Sequence, residues 1–137
     1  MALIVSSAGC GSGTPSGPPS PTPTPVPVRT VLTTKALTLP AGTTASETVD
    51  NVPGGTVDVR LDWADAAVDL NLYVTDTNCS SILEILGNAC RVLGQATGTA
   101  RPEVVTFATT ATANYVVWAR NLGATTQAAA VEVGVTR

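Results

Sequence analysis

Three cysteines, one acidic stretch and a single tryptophan–arginine pair are the residues of this 137-residue chain whose types and spacing could do chemistry. Cys10, Cys79 and Cys90 make an odd count, which is resolved if two pair and the third is modified. Asp62, Asp65, Asp69 and Asn71 lie in or beside the stretch "DWADAAVDLN". They could offer oxygen ligands to a hard cation such as calcium, which takes six to eight; a plain solvated acidic loop is the alternative. In "NYVVWAR" Trp118 shares a strand face with Arg120. That pair could stack on a sugar ring or grip a peptide. Otherwise Trp118 packs under the Thr30–Leu39 segment or on a neighbour.

Catalysis has little to work with. The chain has no histidine, which removes the commonest general base and the commonest metal ligand. A serine, threonine or cysteine nucleophile would depend on a carboxylate or on Lys35 as its base. "TDTN" at Thr75–Asn78 lacks the glycine of the aspartic-protease triplet and has no second copy. Asp62, Asp65 and Asp69 could pair for glycoside hydrolysis only with a suitable carboxylate separation, and a wet loop accounts for them equally. No catalytic residue, no cofactor and no enzyme are therefore expected. A net charge of −3 without any Lys/Arg cluster argues against nucleic acid.

The elements that must position these residues follow a period of two. In "TVDVRLDW" Val57, Val59, Leu61 and Trp63 share one face, and in "DLNLYV" Leu70, Leu72 and Val74 do. Glu103–Thr110, Asn114–Arg120 and Ala129–Thr136 read as further strands, the last burying Val131, Val133 and Val135. Thr30–Leu39 and Ser46–Val52 complete the set. Turns are expected at Pro40–Gly42, Pro53–Gly55, Gly94–Gly98 and Asn121–Gly123. Some seven short strands without a long helical pattern predict an all-β, antiparallel sandwich.

One stretch breaks the alternation. "CSSILEILGNAC" has the apolar spacing of one or two helical turns, with Ser81 and Glu84 as a capping box and Gly87 as the stop. Cys79 and Cys90 bracket it. Two cysteines without histidine make a poor zinc site, so a disulfide is expected, worth about 3 kcal/mol through loop closure.

No charged side chain precedes Arg29, and Ser7-Ala8-Gly9-Cys10 follows a short apolar run. This segment resembles the end of a bacterial lipoprotein signal, in which a small-residue lipobox precedes the lipid-accepting cysteine. The resemblance implies lipidation at Cys10 and a start codon upstream of Met1. Residues 11–28 hold seven prolines among Thr, Ser and Gly. They favour extended polyproline II, with a reach of roughly 50 Å at full stretch, which suits a stalk. The organisation expected is a signal remnant over residues 1–10, a Pro-rich linker over 11–28 and a sandwich domain over 29–137.

Within the domain, "VPGGTVDVRLDW", then "DLNLYV" and later "NYVVWARN" resemble the bacterial pre-peptidase C-terminal (PPC) domain. The similarity runs over residues 43–137 and is densest from Val52 to Val74. It implies a secreted, non-catalytic, jelly-roll-like sandwich with Trp63 and Tyr115 in the core, serving as an accessory to hydrolases. Together the features predict a lipid-anchored module of the bacterial envelope, at the outer membrane or cell surface, that binds a protein or carbohydrate ligand. The alternative is a structural subunit that self-associates by β-strand addition.

Overall fold

The computed structural model describes residue 17 and residues 20–137. The lipobox and Cys10 lie outside the described residues. Residues 20–28 form no helix or strand and are exposed throughout.

From Arg29 onward the chain is an antiparallel β-sandwich of two four-stranded sheets. Its elements in order are β1 (Arg29–Leu39), β2 (Thr44–Val52), β3 (Gly55–Trp63), β4 (Leu70–Thr75), α1 (Ile82–Leu86), β5 (Val92–Ala96), β6 (Glu103–Thr109), β7 (Ala113–Asn121) and β8 (Gln127–Thr136). One sheet has the order β1-β8-β3-β6 and the other β2-β7-β4-β5. All connections but β4–β5 pass from one sheet to the other, and this is jelly-roll topology. The β4–β5 connection, being a hairpin within a sheet, is free to fold back as a covering loop.

The alternating strands put their apolar sides together. Val57, Val59, Leu61 and Trp63 of β3 meet Leu70, Leu72 and Val74 of β4, with Tyr115, Val117, Val131, Val133 and Val135 around them. β-Branched and leucine side chains fill most of the inter-sheet space, joined by Trp63, Tyr115 and the Phe107 ring that meets Tyr115 edge-to-face at 5.1 Å. Lys35 of β1 donates to Glu47 of β2 at 3.0 Å and closes one side of the sandwich.

The other side holds a strand that the sequence pattern disguises. "VLGQATG" reads as a turn, yet Gly94 sits inside β5, paired with Val74. The glycine is there for space: a Cβ at Gly94 would collide with the Val105 side chain of β6. The two sheets approach too closely at that seam for any larger residue. Gly55 answers a similar need at the β2–β3 turn, with φ +148° and a would-be Cβ 2.6 Å from the Thr136 carbonyl oxygen.

Chain entry and exit share one end of the sandwich. Val28 and Arg137 exchange backbone hydrogen bonds of 2.9 and 3.2 Å, extending the β1–β8 ladder by one pair. Antiparallel pairing then puts the β2–β3, β4–β5 and β6–β7 connections at this end. The β1–β2, β3–β4, β5–β6 and β7–β8 loops lie at the opposite end.

Candidate functional site

The four loops at the end remote from the chain termini are stitched to one another by side-chain and backbone hydrogen bonds. Asn121, with none of its surface exposed, is the centre of this network. Its Nδ2 donates to the carbonyl oxygens of Leu39 (2.9 Å), Pro40 (3.2 Å) and Thr125 (2.8 Å), and its Oδ1 accepts from the Gly123 N–H at 2.8 Å. The β1–β2 and β7–β8 loops are thereby fixed together. Leu122 N–H donates to the Asp69 carbonyl at 3.0 Å, which ties in the β3–β4 loop. Trp63 Nε1 donates to the Val68 carbonyl at 2.8 Å and closes that loop on itself. Arg101 of the β5–β6 loop completes the set by donating Nη1 to the carbonyl oxygens of Trp63 and Ala64.

Beside this network lies an open cavity of about 520 Å³, lined by Asp62, Trp63, Ala64 and Arg101 with Ala128, Ala129 and Ala130. It offers a carboxylate and a guanidinium over small side chains, a geometry that can hold a polar ligand by hydrogen bonds. No nucleophile–base pair lines it.

The candidate calcium ligands are not brought together. Asp62 accepts from Arg60 Nη2 at 3.3 Å and from the Trp63 N–H at 3.0 Å. Asp65 accepts from the Ala67 N–H at 2.9 Å, an Asx turn that shapes its own loop. Asn71 is buried and donates to Tyr73 Oη at 3.3 Å. Among the described residues, no three His, Cys, Asp or Glu side chains form a group that could hold a metal ion. The reason is topological. β3 and β4 are close in sequence but belong to different sheets, so Asp62 and Asn71 face outward on opposite sides of the sandwich.

Trp118 is not a ligand platform either, nor does it lie under β1. It is buried, 7% exposed, in a second apolar cluster with Tyr73, Cys79, Ile85 and Val116. The β4–β5 connection folds over the outer face of its sheet and covers it. α1 supplies Ile85 to that cluster, and the Cys79–Cys90 disulfide closes the loop. Ser81 caps α1 by accepting from the Glu84 N–H at 3.4 Å, while the Glu84 carboxylate reaches Ser80 instead of completing a box on Ser81. The hydrogen bonds from the Ser80 hydroxyl and N–H hold Glu84 below its ordinary carboxylate value. Arg120 is half-buried at the remote end of β7, opposite Asn71 and Thr44 in register.

Two residues of the loop network, Asn121 and Arg101, escape a reading by motif, as does Glu103 at the start of β6. Glu103 left a trace, since it falls in phase with Val105 and Phe107 on the core side of its strand. It is 2% exposed, and among the described residues both carboxylate oxygens are buried without a well-formed hydrogen bond. Burial foremost pushes Glu103 up to about 7, with the Asp69 charge acting in the same direction and the backbone N–H groups of Leu72 and Gly98 acting against it.

No family model and no curated protein matches the sequence. Solved structures do resemble the fold. The Yersinia pseudotuberculosis-derived mitogen YPM superposes with a TM-score of 0.52 at 11% identity, covering 80% of this chain and 87% of its own. Aeromonas hydrophila PliG, a periplasmic inhibitor of g-type lysozyme, gives 0.50 at 11% identity, covering 77% and 85%. Neither is a PPC domain. At this identity the likeness is one of fold alone: an all-β sandwich shared by otherwise divergent chains.

Proposed function

We propose that this protein is a non-catalytic, extracytoplasmic binding or accessory module: a PPC-like sandwich carried on a Pro-rich stalk and anchored by lipid at Cys10. The observation that carries the reading is the polarity of the domain. The chain enters beside Arg137, at the end where a stalk would attach, and the cross-braced loops with their open cavity lie at the other end. A domain tethered in this way presents its cross-braced loop surface outward. Rigid loops bind with less ordering cost than mobile ones. The disulfide supports an oxidising compartment, and the periplasmic address of the Aeromonas inhibitor points the same way. The ligand class is protein or carbohydrate.

The edge strands weigh against assembly by strand addition. β1 carries a bulge between Val31 and Thr33, and β2 one between Val49 and Val52. The exposed Lys35–Glu47 pair places charges along the same two edges. Edge charges and bulges are devices that keep sheet edges from pairing with other chains.

The test is intact mass, with and without reduction, of protein expressed in a bacterial host with its native upstream region. A chain starting at Cys10 with added acyl mass, gaining two protons on reduction, is the expected result. An unprocessed chain in the soluble fraction would overturn the anchored reading.

A further inference from the structure

A carboxyl sealed where two sheets nearly touch needs a reason to be there. Glu103 opens β6 and points between the sheets, opposite Leu61 in register, at the seam where β6 passes β4 and β5. Neither of its oxygens has a well-formed hydrogen bond among the described residues; the backbone N–H groups of Leu72 and Gly98 favour the carboxylate, but not enough to offset its burial. Asp69, just before β4, has its Oδ1 buried and equally unpartnered, and its charge bears on Glu103. Every other charge near the seam is directed elsewhere. β4 and β5 carry no ionisable side chain apart from Tyr73, which faces the disulfide loop. Asp58, Arg60 and Asp62 of β3 lie on its outer side, away from the core. Arg101, two positions before Glu103, spends Nη1 on the carbonyls of Trp63 and Ala64.

An ionised carboxylate in such a place, with a second carboxylate nearby and no cation to meet it, is strongly disfavoured. It stays dry only as the neutral acid. From this geometry we infer that Glu103 is a proton-operated latch: protonated, it lets the β5–β6 seam close, and ionised, it draws water in and loosens the β5–β6 loop. That loop carries Arg101 and so braces the β3–β4 loop. Loss of one proton would therefore unfasten part of the remote loop surface. β5 is the element placed to yield, being five residues long, incompletely buried and paired only with β4. The inference stands on the fold and is independent of lipid anchoring.

The sign of the linkage is fixed by the direction of the shift. Glu103 is raised from 4.5 to about 7, so the native state binds the proton more tightly than the unfolded chain does. Stability is highest at mildly acidic pH, declines through the window between those two values and levels off above it. Ionisation should raise the unfolding equilibrium constant on the order of a hundredfold across that window.

The experiment uses the full chain. Carboxyl ¹³C NMR should show Glu103 titrating near neutrality. The urea midpoint of wild type should fall between about pH 5 and about pH 8, and that of Glu103→Gln should stay level. Amide exchange corrected for base catalysis should accelerate in β5 and residues 97–102 of wild type, and not in β8. A Glu103 already ionised at pH 5, or identical pH profiles for wild type and Glu103→Gln, would overturn the inference. So would a drop of the Glu103 midpoint into the acid range on adding calcium alone, which would make the two carboxylates a cation site. If Glu103→Gln does not fold, the wild-type titration and the exchange at the seam decide.

Discussion

Trp118 donates its indole N–H to the hydroxyl of Thr75 at 3.0 Å, from β7 to the neighbouring β4, on a sheet face that the disulfide-closed loop covers. Thr75 has no exposed surface. The bond allows a tryptophan, with its one polar atom, to be buried on the outer side of a sheet. It also means that this aromatic belongs to packing and not to ligand capture.

Thr75→Val should expose how far that bond matters. Valine keeps the shape and removes the acceptor, leaving the indole N–H buried and unpaired, at a cost of about 1–3 kcal/mol. Urea unfolding measures the loss, and a double-mutant cycle with Trp118→Phe should return a coupling above about 0.5 kcal/mol. Strict additivity would mean that the two side chains do not act together.

The disulfide should act locally as well as globally. Cys79→Ala with Cys90→Ala opens the short loop over the second cluster and should cost about 3 kcal/mol by the chain-entropy argument. The main core between the sheets shares no side chain with that cluster. Amide exchange should therefore rise most between residues 79 and 92 and least in the β3–β8 ladder.

The parts of this fold that were legible in sequence are those written in alternation. Val57 to Trp63 and Val131 to Val135 announce their buried faces because each alternate position is polar or small. The loop between the cysteines was legible because its apolar spacing changes period. What escaped was set by distance in the folded chain. Gly94 looks like punctuation until Val105 is seen against it. Asp62 and Asn71 look like neighbours until their strands are assigned to different sheets. Trp118 alternates outward as expected, but the segment that buries it comes from the β4–β5 hairpin and not from β1. Asn121 reads as a turn residue, and its three carbonyl partners lie on two separate loops.

Gly94→Ala tests the tight seam. The added methyl meets the Val105 side chain, which is buried in the main core, so overpacking should cost about 1–3 kcal/mol. Val105→Ala alone leaves a cavity and is also destabilising. Combined, the two should cost less than their sum, because the cavity of one accommodates the methyl of the other. A double variant at or beyond the sum would show that Gly94 is needed for backbone reasons instead.

Asn121→Asp is the sharpest probe of the remote loops. The two side chains have the same shape, but aspartate lacks the Nδ2 donor that now meets the carbonyls of Leu39, Pro40 and Thr125. It would set a carboxylate against three carbonyl oxygens in a site without exposure, costing on the order of 3 kcal/mol near neutral pH. The deficit should shrink on acidification. A carboxyl forced into that site has a folded-state affinity for protons above its unfolded value, so its penalty grows as pH rises from about 4 and is relieved below it. Protonation also restores one donor to the site. Thermal or urea unfolding of wild type and variant at acid and neutral pH measures the gap. A gap that stays constant with pH would mean that the loops open to hydrate the carboxylate, and that Asn121 does not hold them as a rigid surface.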